Sequence, residues 1–154
     1  MSAQTSYQIN TNKRIHGSLS DLQNSEVDTY AAEGGEIGLG VVVSKGTDPE
    51  QQAVLGGVAP VGITLRDLTR EGKPVTAVLT YDETEEMSVL KAGRVNITLP
   101  AGGNPGDALK YNTTTGVIDV GAPGAGEAVL AGAQIRTVTV AGGVAEIRYE
   151  LPHS

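Results

Sequence analysis

The side chains that carry most catalytic chemistry in proteins are scarce in this sequence. It contains no cysteine, so thiol nucleophiles, disulfides and thiolate metal sites are excluded. The two histidines, His16 and His153, lie near the ends of the chain in segments without a core pattern, and we predict that both are solvated. No Gly-x-Ser-x-Gly motif is present to hold the nucleophile of an acyl-transfer triad. The sequence therefore predicts a protein that is not an enzyme.

Three further motifs have a chemical interpretation, and each is weak. The acidic loop at residues 82–86 could attract a cation such as Ca²⁺, but it lacks the alternating oxygen ligands and central glycine of an EF-hand loop. Gly-Leu-Gly at residues 38–40 is a fragment of a dinucleotide-binding fingerprint, yet no helix pattern follows it. Lys91 lies at a possible hairpin turn, as the modified lysine of lipoyl and biotinyl carrier domains does, without the flanking residues of those carriers. We expect no metal ion and no cofactor.

Length and charge limit the class of partner. A chain of 154 residues fits one domain of ordinary size. The formal net charge of −7 argues against binding to nucleic-acid phosphates. No apolar run approaches the roughly 20 residues of a membrane span, and the N-terminus lacks the pattern of a signal peptide. We expect a soluble protein, made in the cytoplasm, that contacts neither nucleic acid nor membrane.

The composition also predicts a thin hydrophobic core. Aromatic residues make up 3% of the chain, with no Phe and no Trp, whereas there are 21 glycines. A core of Val, Ile, Leu and Ala buries little area per residue, at about 25 cal/mol for each Å² of apolar surface. We therefore expect subunits to share buried surface in an oligomer.

Short segments in which apolar and polar residues alternate predict an all-β fold. The clearest are residues 94–99, where Val95, Ile97 and Leu99 alternate with polar residues, and residues 144–151 near the C-terminus. The predicted strands lie at residues 37–44, 61–65, 75–81, 88–90, 94–99, 109–112, 117–120, 135–140 and 144–151.

The spacing of these strands predicts how they connect. Residues 94–120 are expected to form a β-meander in which Gly116 supplies a positive φ at the last turn. Residues 135–140 and 144–151 are expected to pair as the last hairpin. We predict a small antiparallel β-barrel or sandwich that spans residues 37–154.

Residues 1–36 are polar and show no sustained strand or helix period, so we predict an extended N-terminal arm. Two alternatives stay open: a solvated tail, or an arm that becomes ordered against a neighbouring subunit. Gly34 and Gly35 are the expected hinge between arm and barrel. The apolar residues that would contact a neighbour are Tyr7, Ile9, Ile15, Leu19, Leu22, Val27 and Tyr30.

The order of several short motifs resembles that of phage structural cement proteins, also called capsid decoration proteins. The resemblance covers most of the chain from about residue 37 onward, and the shared order is its specific part. The motifs are Gly-Leu-Gly-Val-Val-Val at 38–43, Lys-Gly at 45–46, Gly-Val-Ala-Pro-Val-Gly-Ile-Thr-Leu-Arg-Asp at 57–67, Val-Leu-Lys-Ala-Gly-Arg-Val at 89–95, Pro-Gly-Asp-Ala-Leu-Lys-Tyr at 105–111, Thr-Gly at 115–116, Gly-Ala-Gln-Ile at 132–135 and Gly-Gly-Val-Ala-Glu-Ile-Arg at 142–148.

This resemblance implies a function and a set of partners. Proteins of this family bind the outside of the assembled head where major capsid protein subunits meet, often as trimers, and resist the pressure of packaged DNA. The expected partners are thus the major capsid protein and further copies of this chain, as a homotrimer or a dimer. The alternative function is a binding module on a virion or cell surface, directed at carbohydrate or a host surface. With five Tyr and neither Trp nor Phe, the chain offers few aromatic platforms for a sugar.

Overall fold

Every regular element that the computed structural model describes, over residues 16–19, 25–66 and 80–151, is a β-strand. No helix in these ranges could span a membrane. The prediction of an all-β fold is confirmed. The strands are β1 (Glu26–Glu33), β2 (Ile37–Gly38), β3 (Val42–Lys45), β4 (Gln52–Leu55), β5 (Pro60–Thr64), β6 (Thr80–Tyr81), β7 (Glu86–Thr98), β8 (Leu109–Asn112), β9 (Ile118–Val120), β10 (Glu127–Val129), β11 (Ala133–Ile135) and β12 (Val144–Glu150).

A closed barrel forms the centre of the fold. Strands β1, β4, β3, β5 and β7 are hydrogen-bonded in that order, and β1 also pairs with β7, which closes the ring. Strand β1 runs parallel to β4, whereas the other neighbours in the ring are antiparallel. Closure removes free strand edges from these five strands. The predicted small β-barrel is therefore confirmed.

Strand β7 joins the barrel to the rest of the molecule. It has 13 residues; its first part pairs with β1 and β5, and its second part pairs with β12. The separate strands predicted at 88–90 and 94–99 are one element, and Lys91 lies within it rather than at a hairpin turn. Lys91 Nζ is 2.8 Å from Asp28 Oδ2 on β1, and this contact raises the pKa of the lysine. Lys91 thus has a structural role in closing the barrel.

Outside the barrel, β12 and β11 extend the sheet beyond β7, and β8 lies between β9 and β10 in a sheet of three strands. The predicted strand at 144–151 is confirmed by β12, and Gly116 has the predicted positive φ, 69°. The predicted meander is wrong in its first half, because β8 pairs with β10 instead of with β7, whereas its second half is confirmed by the antiparallel pair of β8 and β9. The strand predicted at 135–140 is also wrong, because β11 ends at Ile135 and a loop follows. Of the strand predicted at 75–81, residues 75–79 lie outside the described part of the chain.

Two clusters of buried side chains form the core of the part of the chain that the structure describes. The smaller one draws residues from all five barrel strands and fills the barrel interior, as Tyr30, Val43, Ala53, Val61 and Met87 show. The larger one lies between the outer wall of the barrel and strands β8, β9, β11 and β12. Adjacent residues such as Val42 and Val43 belong to different clusters because neighbouring side chains of a strand point to opposite faces.

Tyrosine supplies the large buried side chains of this core, because the chain has no Phe and no Trp. Tyr81, Tyr111 and Tyr149 are each 1% exposed and are among the largest fully buried side chains. The Tyr81 hydroxyl donates to Leu65 O at 2.6 Å, and the Tyr111 hydroxyl donates to Gly57 O at 2.8 Å. These hydrogen bonds offset the cost of burying a phenol. The expectation of a purely aliphatic core was therefore incomplete.

Part of the expected arm belongs to the barrel. Residues 26–33 form β1, so the boundary predicted at residue 36 is wrong for this segment. Gly34 and Gly35, with φ of 85° and 123°, connect β1 to the short strand β2 rather than an arm to the barrel. The strand lacks a clear sequence signal because residues 26–29 are all exposed, and only its second half alternates between buried and partly buried positions.

Candidate functional site

His16 is held on both sides of its ring. The Thr98 backbone N–H donates to His16 Nδ1 at 2.9 Å. Since Nδ1 accepts this hydrogen bond, Nε2 carries the proton in the neutral ring and donates to Leu39 O at 2.8 Å. The prediction of a solvated histidine is therefore wrong for His16, which connects β7 to the segment before β3. His153 lies outside the described residues.

The Gly-Leu-Gly motif makes room for this histidine. A Cβ atom on Gly40 would lie 2.6 Å from His16 Cε1 and from Nε2, and Gly40 has a φ of 65°. Both the space and the backbone conformation therefore require glycine. The Gly-Leu-Gly motif at residues 38–40 therefore leaves space for the imidazole ring of His16.

Residues 16–19, which we name the N-terminal anchor, continue along β7. Gly17 N–H donates to Asn96 O at 2.7 Å, and Asn96 N–H donates to Ser18 O at 3.0 Å. The buried Asn96 side chain donates from Nδ2 to Ser18 Oγ at 3.0 Å. On the other side, Arg66 N–H donates to Gly17 O at 2.7 Å. These hydrogen bonds therefore hold the anchor against β7 on one side and Arg66 on the other.

The predicted interface residues have different positions. Leu19 pairs with Val95 and packs against the larger core cluster, and Tyr30 is buried in the barrel interior. These two side chains serve the core, whereas Val27 is 41% exposed. Tyr7, Ile9, Ile15 and Leu22 lie outside the described residues.

The loop between β11 and β12, residues 136–143, carries an exposed apolar tip. Val138 is 75% exposed and Val140 is 78% exposed, although both alternate with threonine as strand residues would. Thr139, between them, exchanges backbone hydrogen bonds of 2.8 Å with Gly103, which holds the loop against the turn after β7. The loop therefore presents two exposed apolar side chains in a fixed position.

Two turns with acidic residues lie beside the end of β1. Thr84 N–H donates to Ala32 O at 2.8 Å, which places the loop between β6 and β7 beside β1. The turn between β3 and β4 is also adjacent, since Thr47 N–H donates to Glu33 Oε2 at 2.8 Å and the Thr47 hydroxyl and amide lower the pKa of Glu33. We name this surface the acidic end; its carboxylates are Glu33, Asp48, Glu50, Asp82, Glu83, Glu85 and Glu86. Within the described ranges, no group of acidic or histidine side chains has the geometry to hold a metal ion.

Comparison with known proteins identifies the class. A family model described as "Structural cement protein (E217 gp24/Pam3 gp6)" matches residues 3–150. The chain therefore belongs to this family of phage structural cement proteins, and the resemblance seen in the motifs is confirmed. The match includes the N-terminal anchor and much of the segment before it.

A solved structure gives the same architecture. A chain of "The capsid of Myoviridae Phage XM1" is 15% identical, with a TM-score of 0.67, and the alignment covers 88% of this chain and 89% of that chain. At this identity the likeness shows the fold. No curated protein matches the sequence. By its family, this protein is a structural component associated with the phage capsid.

Proposed function

We propose that the protein binds the outer surface of a phage head where major capsid protein subunits meet, and that it stabilises the head there against the pressure of packaged DNA without a catalytic role. The observation that carries this proposal is the family match over residues 3–150. The charge supports the outer location, because a protein with a formal net charge of −7 is repelled by the packaged DNA inside the shell.

The N-terminal arm is the proposed contact with a neighbouring subunit. The anchor holds His16 at β7, so we limit the proposed arm to residues 1–15. A chain of this length spans at most about 50 Å when fully extended, which is enough to cross an adjacent subunit. Its apolar residues Tyr7, Ile9 and Ile15 are the side chains that we expect to bind there.

Deletion of residues 1–15 tests this role while the anchor and β1 stay intact. We expect the shortened protein to fold with unchanged stability, to bind heads more weakly and to lower the temperature at which heads rupture. The matched control keeps the full length and replaces Tyr7, Ile9 and Ile15 with Ser; it should reproduce the loss. If the deleted chain protects heads as well as the full chain does, the arm is only a tail.

We also propose that the protein forms homotrimers on the head. A count of subunits per cluster in a reconstruction of decorated heads tests this. Clusters of two would overturn the trimer and leave the decoration function intact.

The alternative function, a carbohydrate-binding or host-surface module, finds little support in the described residues. Tyr30, Tyr81, Tyr111 and Tyr149 are all buried, so this part of the chain has no exposed aromatic ring on which a sugar could stack. Co-purification with intact heads separates the two functions. Binding to host cells or glycans without binding to heads would favour the alternative.

A further inference from the structure

Three arginines share one outward face of the sheet beyond the barrel. Arg94 on β7 lies directly opposite Arg148 on β12, and Arg148 lies opposite Gln134 on β11. Arg136 follows β11, and its N–H donates to Glu146 O at 2.8 Å, which places it at the end of the same face. All three side chains are exposed. We name this surface the arginine face.

The arginine face also carries Glu146 and Glu150, which lie on either side of Arg148 on β12, so its three positive charges are only partly neutralised within the chain. Arg94 Nη1 is 3.5 Å from Glu146 Oε1, a long ion pair. Neither Arg136 nor Arg148 has an ion pair with a described residue. Like charges directly opposite each other on neighbouring strands destabilise a sheet. A partner that brings carboxylates to this face would remove that cost.

The acidic end provides the complementary charge, but in one molecule the two surfaces are too far apart to meet. Glu86 begins β7 and Arg94 lies eight residues along the same strand, a separation of roughly 26 Å at about 3.3 Å per residue. Glu83 and Glu86 are exposed at the acidic end. An acidic end can therefore neutralise only the arginine face of another copy.

We propose that the arginine face of one copy binds the acidic end of the next copy on the head. This contact rests on the proposed function, because it forms between neighbouring copies of a cement protein. It joins two different surfaces, so it is a head-to-tail contact, and repetition about a rotation axis closes a ring. The contact therefore supplies a geometry for the oligomer and predicts that its stability falls with ionic strength.

Cysteine cross-linking on decorated heads tests the contact directly. The natural chain has no cysteine, so each introduced thiol is unique. We choose Gln134→Cys on β11 and Glu83→Cys in the acidic loop, because both side chains are exposed. The variants are bound to heads, treated with a short bis-maleimide, and cross-linked peptides are identified by mass spectrometry.

In the double variant, we expect the thiol on β11 of one copy to be linked to the thiol in the acidic loop of another copy. We expect no link between copies in either single variant. A strong link from one single variant would show a two-fold contact and overturn the proposal. Absence of the link in the double variant on fully decorated heads would overturn it as well, while the cement function would stand. Failure of the natural chain to bind heads at all would instead refute the function on which the contact rests.

Charge reversal provides a second test with its own control. Arg136→Glu with Arg148→Glu should lower the yield of the link about tenfold. Glu83→Arg with Glu86→Arg should lower it by a similar factor. Wherever Glu83 is replaced by Arg, the substitution Glu85→Cys supplies the thiol of the acidic loop. All four substitutions together restore opposite charges across the contact and should recover most of the yield. Lack of recovery in a folded protein that binds heads would show that the two surfaces do not face each other.

Discussion

The closed barrel and the strands outside it differ in whether they have free sheet edges. The barrel pairs β1 with β7 and leaves no free edge among its five strands. Beyond it, β11 ends the larger sheet, and β9 and β10 are the two edges of the sheet of three strands. The exposed valines Val138 and Val140 and the arginine face also lie on this open side.

This difference indicates that the barrel and the strands outside it have different roles. A sealed ring with a buried interior gains its stability from its own contacts, whereas an open layer keeps groups available for other molecules. We therefore expect substitutions in the barrel interior to act on folding, and substitutions on the exposed parts of the outer layer to act on assembly. The following predictions test this difference in roles, from the largest expected loss of stability to the smallest.

Met87→Ala should give the largest loss of stability. Met87 is 0% exposed in the barrel interior, and truncation of such a side chain costs about 3 kcal/mol of unfolding free energy through lost burial and a cavity. Urea denaturation measures it. The control, Val140→Ala at a site that is 78% exposed, should change stability by less than about 0.5 kcal/mol. Similar losses of unfolding free energy from both substitutions would contradict the different roles of the barrel interior and the outer strands.

Alkaline pH should weaken the outer layer through Tyr149. Burial, with a smaller contribution from Tyr111, raises the pKa of Tyr149 from 10.0 to about 12. The neutral phenol is favoured in the folded state, so its contribution is complete below pH 10 and is lost as pH rises toward 12, by about 2 kcal/mol. Tyr149→Phe should flatten the fall of unfolding free energy over this range. An unchanged pH profile would show that Tyr149 does not ionise on unfolding.

His16→Ala should have an intermediate effect, because it removes the two hydrogen bonds that join Thr98 and Leu39 through the ring. At about 0.5–1.5 kcal/mol for each of the two bonds, we expect a loss of roughly 1–3 kcal/mol in unfolding free energy. Gly40→Ala, which places a Cβ atom against the same ring, should produce a similar loss. If His16→Ala leaves stability unchanged while Gly40→Ala lowers it, the ring is not the origin of the stability.

The double substitution Val138→Ser with Val140→Ser should have the smallest effect on folding, less than about 0.5 kcal/mol. We expect it to weaken head binding by about tenfold, since exposed apolar groups contribute when a partner covers them. Quantitative sedimentation with heads measures the change. Val58→Ser is the matched control, because Val58 is 82% exposed but lies in the turn between β4 and β5. Equal effects from both would argue against a specific role for the loop.

The alternating pattern predicted the faces of the strands well but not their neighbours. On β12, Ala145, Ile147 and Tyr149 are buried, as the period of two predicts. Val138 and Val140 show the same alternation, yet both are exposed. The period fixes which side chains share a face, and only the packing of other elements decides whether that face is covered.

The elements missed from the sequence depend on distant contacts. Strand β1 has an exposed first half, and its partners β4 and β7 lie far along the chain. The role of His16 likewise depends on Thr98 and Leu39, which no local pattern connects to it. The one local signal was Gly40, whose position inside a predicted strand segment marks a close approach of other atoms.

The closure of the barrel by its first strand has a consequence for biosynthesis. Tyr30 of β1 faces Met87 of β7 in the register, so β1 leaves the ribosome well before its partner exists. At about 5–20 residues per second, translation of the intervening chain takes roughly 3 to 11 s. During that interval the edge of β1 that will pair with β7 has no partner, although β4 is already available to the other edge, and we expect the charges of Glu26, Asp28 and Glu33 along β1 to oppose its association with another nascent copy.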